Sequence, residues 1–200
     1  LGMGVDKLTQ EDVQRIGMEA EKAMLETTHD VNTHRGALFA LGITVAAAAW
    51  IYSHEGQEVR KESLQRLISE IASGFKPSCN THGAEVIAKE HVKGARENAV
   101  EGYPDLFETW GPFYRKLRED PHRAHRTLLK IMSMLQDTNI YHRTDAETAE
   151  LVRQSSGMLL QRFSVSALRD ADAEFIRHNI SPGGSADMLS LTILINAILK

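Results

Sequence analysis

Along almost the whole chain, apolar residues recur at three- and four-residue steps, the period of one face of a helix. Thr9 and Asp12 form a capping-box signature, after which Val13, Ile16, Ala20 and Met24 keep that step to about Thr28. Residues 37–52 are apolar nearly all round, which predicts a central helix. Residues 61–73 are amphipathic through Leu64, Leu67, Ile68 and Ile71, and Gly74 stops the pattern. Residues 76–80 read as a loop. Helical periods follow over residues 84–99, 105–119 with Pro112 as a kink, 123–136, 146–162 and 165–178, and a closing helix runs from Ser185. No strand-like alternation, hairpin signal or internal repeat interrupts them. The pattern predicts an all-α fold: one domain over residues 1–200, a helical bundle of about eight or nine helices around those from Ala37 and Ser185.

Composition narrows the class. Two hundred residues with 42% hydrophobic content can form a real core, and a formal charge of -4 argues against a nucleic-acid coat. Cys79 is the single cysteine, so neither a disulfide framework nor a multi-cysteine zinc site is available. The longest apolar run, residues 43–52, is about half a membrane span, and no signal-type segment opens the chain. We therefore expect a soluble, cytoplasmic protein with no membrane partner. An opening at Leu1-Gly2 suits a processed or trimmed product.

Candidate chemistry gathers at helix ends. Ser181-Pro182-Gly183-Gly184-Ser185-Ala186-Asp187 leads into an apolar helix, whose first N–H groups and dipole suit a phosphate. A serine there is equally an ordinary N-cap. Asp187 tips the balance, because an ionised group inside an apolar helix needs a partner or a metal; anion and carboxylate together suggest a magnesium nucleotide. Asn32, Thr33, His34 and Arg35 offer amide, hydroxyl, imidazole and guanidinium at another helix start, or else a cap with a solvated arginine. Asp137 and Asn139, with His142 and Arg143, close an apolar helix: either magnesium ligands or a base, or a C-terminal cap with cations answering the dipole. Arg96 lies among glutamates on what reads as a solvated helical face. The histidines His54, His91, His122, His125 and His178 show no zinc spacing and are placed at the surface.

Taken in order, Asn32-Thr33-His34-Arg35-Gly36, Asp137-Thr138-Asn139 with His142-Arg143, and Ser181-Pro182-Gly183-Gly184-Ser185-Ala186-Asp187 resemble the triphosphoribosyl-dephospho-CoA synthase family. Glu19 to Met24, Thr81/Gly83, Arg96 and Gly102-Tyr103-Pro104 match further landmarks, and the resemblance covers nearly the whole chain, corresponding to the family's C-terminal two-thirds. It implies an all-helical transferase joining ATP to 3'-dephospho-CoA at the 2'-hydroxyl with release of adenine, with ATP as substrate and Mg2+ as cofactor. It also assigns tasks. Gly183, Gly184, Ser185, His34 and Arg35 would hold phosphates, with Ser181, Thr33, Arg96 and His142 beside them. Asp137 and Asp187 would hold magnesium or act as base, His34 would join the catalytic group, and Asn32, Asn139 and Arg143 would orient ribose or phosphate.

The departures are specific. His29-Asp30 stand where the family pattern has a Gly-Gly pair, Arg96-Glu97-Asn98-Ala99 replaces Arg-Gly-Glu-Ala, and Thr144-Asp145 replaces another Gly-Gly. The family's N-terminal Pro-Lys-Pro-Gly-Leu-Val-Asp signature is absent from this sequence. A divergent transferase, a split enzyme completed by a second chain or a homo-oligomer, and a non-catalytic nucleotide-binding or partner subunit all remain open at this level.

Overall fold

Two apolar helices set the architecture. A computed structural model describes residues 9–56, 58–75 and 82–199, and among them it contains helices and no strand. The 76–80 loop, Cys79 and Thr81 lie outside the described residues. Helix α2 (Arg35–His54) buries Ala40, Ile43, Thr44, Ala47 and Ile51, and α11 (Gly183–Ile198) buries Ser185, Met188, Leu191, Thr192 and Ile195. They pack on each other, as the all-round apolar pattern requires. Each fully buried Ile or Leu contributes roughly 1.5–3 kcal/mol relative to exposure. The two threonines are carried in the core because their hydroxyls donate back to Ala40 O at 2.8 Å and Met188 O at 2.7 Å. Helix α2 is also the one described helix long and apolar enough to cross a membrane, since Ala37 to Gly42 extend the run expected to stop at half that length.

The remaining helices lay single stripes on this pair. Helix α1 (Gln10–Thr27) starts with the expected capping box, Asp12 N to Thr9 Oγ1 at 3.1 Å and Thr9 N to Asp12 Oδ2 at 3.2 Å, and packs on α2. Helix α3 (Lys61–Gly74) buries Leu64, Ile68, Ile71 and Ala72 against α2. The helix expected over residues 84–99 is two, α4 (His82–Glu90) and α5 (Ala95–Val100). His91 turns left-handed at φ 55°, and Gly94 N is held by Glu97 Oε2 at 3.1 Å to begin the second.

Pro112 does not kink a continuous helix. A π turn, Leu106–Trp110, precedes α6 (Gly111–Lys116), and Gly111 N reaches back to Leu106 O. The wider turn brings Pro112 in at the first turn of a new helix, where its missing N–H costs nothing.

Helix α7 (Arg123–Met132) stops short of residue 136 and packs on α11 and on α9 (Ala146–Gln161). Between α7 and α9 lies a six-residue helix, α8 (Thr138–Arg143), where the sequence predicted only a helix end. Met132, Ile140, Ala149 and Val152 form a second apolar cluster there. Helix α10 (Val165–Arg177) follows with no buried residue. Among the described residues the bundle has eleven α-helices, eight of them of seven residues or more, in line with the eight or nine expected; α5, α6 and α8 are the three short ones.

Candidate active site

Three helix beginnings meet through two carboxylates. Pro182 opens α11 and has no side-chain acceptor, so the helix cannot cap itself. Asp137 supplies the cap from outside: its carboxylate accepts from Gly184 N at 3.2 Å, Ser185 N at 2.7 Å and Ser185 Oγ at 2.9 Å. The same carboxylate caps its own helix α8 by accepting from Asn139 N at 3.0 Å. One buried Asp therefore ties the starts of α8 and α11 together, at 3% exposure. The glycine pair fits this contact. A Cβ on Gly184 would stand 2.9 Å from Asp137 Oδ1, and one on Gly183 would stand 2.9 Å from Asn139 Nδ2.

The arrangement repeats one step further on. Asp187, in the first turns of α11, lies against the start of α2, where the N–H of Ala37 draws its carboxyl pKa down. Gly36 makes the approach possible, because a Cβ there would overlap Asp187 Oδ2. Asn32 Oδ1 takes Arg35 N at 3.0 Å, so it caps α2 where His34 does not. Thus α8 caps α11, and α11 sets a carboxylate against the start of α2.

The carboxylates differ in environment. Burial pushes the Asp137 carboxyl upward, against the pull of its Ser185, Asn139 and Gly184 donors. Asp187 is half-buried and has fewer donors; desolvation first, and then the charge of Asp137, push it up to about 6, while Ala37 N–H pulls the other way. Its charge in turn bears on Tyr103, whose phenol burial already drives upward. Asp187 is thus the carboxylate of the pair with the fewer protein donors.

Other predicted residues fall into two groups. Asn32, Thr33 and His34 are exposed beside the α2 start, with Thr33 Oγ1 and His34 Nδ1 at 2.6 Å. Arg35 pairs with Glu21 of α1, and its buried Nε has no hydrogen-bond partner among the described residues. Ser181 lies just ahead of the α11 start. The others engage elsewhere. Arg96 Nε donates to Phe75 O at 3.1 Å, and Arg143 Nη1 donates to Asn179 Oδ1 at 3.0 Å from the far end of α8, with His142 next to it. Asn139 is no C-terminal cap; it sits in the first turn of α8.

The sequence reading gave no chemical role to Gly36 or Tyr103. A glycine opening an apolar helix and a tyrosine between glycine and proline were the available signals. Among the described residues no cluster of three or more His, Cys, Asp or Glu could cage a metal.

The fold has a solved counterpart: the crystal structure of a protein of Archaeoglobus fulgidus named as a triphosphoribosyl-dephospho-CoA synthase overlays with a TM-score of 0.65 at 14% identity, over 97% of this chain and 91% of that one. At that identity it speaks for the fold. Sequence relatives are closer. A protein of Azotobacter vinelandii bearing the name 2-(5''-triphosphoribosyl)-3'-dephosphocoenzyme-A synthase is 35% identical over 97% of this chain and 70% of its own length. One of Klebsiella pneumoniae with that name is 30% identical over 96% of this chain and 72% of its own. Residues 3–200 match the family model of the ATP:dephospho-CoA triphosphoribosyl transferases. The all-helical fold, the run of motifs and this match agree, and the chain belongs to the ATP:dephospho-CoA triphosphoribosyl transferase family.

Proposed function

We propose that the chain, as one helical domain, transfers the triphosphoribosyl group of ATP to the 2'-hydroxyl of 3'-dephospho-CoA, and that Asp187 is the carboxylate that takes the hydroxyl proton. The observation that carries this reading is the contrast between the two acids: Asp137 is saturated by protein donors, whereas Asp187 is half-exposed beside the α2 start with its carboxyl near 6. A carboxylate of that basicity is ionised at neutral pH yet able to accept a proton. The hydroxyl oxygen bonds to the ribose C1 while its proton passes to Asp187. The bond from C1 to adenine breaks, and its electron pair leaves with the base. Negative charge on Asp187 also favours the cationic, oxocarbenium-like ribose between those events.

Asn32, Thr33, His34 and Arg35 at the α2 start, and Ser181 with the Gly183 backbone at the α11 start, serve the triphosphate. Gly184 and Ser185 act one step removed, by fixing Asp137 and thereby the start of α11. The donor set fits magnesium only as an ion that travels with phosphate oxygens, with Asp187 the one carboxylate of the pair able to add a ligand. Bound in that way, the ion would offset charge among the phosphates.

The test is a titration of the protein with magnesium ATP, with and without 3'-dephospho-CoA, following free adenine. Adenine release that depends on the CoA compound is expected. Nucleotide binding without adenine release would set the reading aside in favour of a non-catalytic nucleotide-binding subunit.

A further inference from the structure

The segment around Tyr103, on whose phenol the Asp187 charge bears, is irregular. Gly102 and Tyr103 are both left-handed, at φ 72° and 51°. For Gly102 this closes α5 in the usual way, with Gly102 N to Ala99 O at 2.9 Å and Tyr103 N to Asn98 O at 2.9 Å. For Tyr103 it is costly, since a bulky residue rarely adopts that conformation, and the following Pro104 favours extended backbone before it. The π turn Leu106–Trp110 comes next.

Two buried donors in this segment have nothing to donate to. The Tyr103 hydroxyl and the Trp110 indole N–H have no hydrogen-bond partner among the described residues, although Tyr103 and Trp110 are only 2% and 3% exposed. Both residues line one cavity of about 10 Å3 with Asn98, Pro104, Asp105, Leu106 and Met188, the last being the neighbour of Asp187 on α11. An orphaned buried donor costs on the order of 1–3 kcal/mol. Strain and unpaired donors in one short segment are what a site held ready for a ligand retains.

We propose that the Tyr103 hydroxyl is a substrate-binding donor, completed when an uncharged acceptor atom of the nucleoside part of ATP enters this cavity. The inference rests on the transferase reading above and adds a contact to it. Burial and the neighbouring Asp187 charge keep the phenol protonated, so it can donate throughout the physiological range. The space is oxygen-sized and takes a single atom. Besides aromatic and aliphatic groups its lining holds the Asn98 amide and the Asp105 carboxylate and no cation, so with two neutral donors it cannot compensate a buried phosphate charge. The triphosphate is therefore assigned to the helix starts of α2 and α11, and the nucleoside part to this cavity.

Tyr103→Phe removes the hydroxyl and keeps the ring. Affinities for magnesium ATP and for magnesium tripolyphosphate are measured on both proteins, with the unliganded thermal midpoint and CoA-dependent adenine release as companions. The expected result is a Kd for magnesium ATP raised about tenfold in the variant, as for one lost hydrogen bond, with tripolyphosphate affinity unchanged and the unliganded midpoint equal or higher. An unchanged magnesium ATP affinity overturns the proposal, and so does equal weakening toward tripolyphosphate. A lowered midpoint with ATP binding intact also overturns it, by showing that the hydroxyl serves the fold through a buried water. If the wild-type protein itself releases no adenine, the transferase reading fails separately, while the affinity comparison still decides the contact.

Discussion

Asp137 and Asp187 stand close enough for one to raise the other's pKa, yet their surroundings give them opposite duties. Asp137 has all its near donors from protein, so its removal strikes the fold. Asp137→Asn turns an amide N–H toward backbone N–H groups and should destabilise the protein by about 3 kcal/mol, read from urea denaturation at pH 7. Asp187 behaves in the other sense. Its folded carboxyl holds a proton up to about 6 against an ordinary 3.8, so between those values the folded state binds more protons than the unfolded one. Its contribution to stability therefore falls as pH rises through that window and stays unfavourable above it. Asp187→Asn should raise the thermal midpoint over wild type at pH 8, and the two curves should converge near pH 4. A variant less stable than wild type at pH 8 would show that the ionised acid is held by donors, against the environment described. Gly36→Ala tests the same residue from across the gap. The new methyl displaces the Asp187 carboxylate, so activity should fall at least about tenfold while the midpoint changes little, because alanine favours the helix.

At the scale of elements, the site is a staggered set of helix starts: Asp137 of α8 caps α11 from outside, and Asp187 of α11 is set against the start of α2, which Asn32 caps locally. This explains why the Gly183-Gly184 pair reads so readily as a phosphate loop. A glycine pair at a helix start lets any anion approach, and here the anion that Gly184 and Ser185 meet is Asp137. The end of α1 shows the converse case. His29 and Asp30, which stand where the resemblance calls for Gly-Gly, are left-handed at φ 53° and 62°. Asp30 N donates to Leu25 O at 2.9 Å, closing α1 with His29 in the position glycine normally fills. The turn is kept without its preferred residue, which tells against the loss of a phosphate-approaching loop at this point. His29→Gly should accordingly stabilise the protein by about 0.5–1 kcal/mol in chemical denaturation, and a loss of stability would mean that the imidazole makes contacts that offset the strain.

For the molecule as a whole, what was legible followed from pattern. The period of residues 37–52 and of the closing helix identified α2 and α11 as the central pair, and the capping box at Thr9 marked the first boundary correctly. What was not legible depended on contacts distant in sequence. Nothing local distinguishes Asp137 as a cap for a helix that begins more than forty residues later, so α8 read as the end of its predecessor. Likewise the break at His91 needs a left-handed residue that carries no glycine signal, and the π turn before Pro112 has the same apolar period as an ordinary helix. The motifs pointed to the α2 and α11 starts that meet at Asp187, but only the three-dimensional arrangement separates a saturated acid from an available one. The most direct test of that separation is the rate of CoA-dependent adenine release by Asp187→Asn, compared with wild type at equal concentrations of folded protein. Loss of a general base predicts a rate lower by about 10²–10⁴-fold. A variant within about threefold of wild type would contradict the assignment of Asp187 as the proton acceptor.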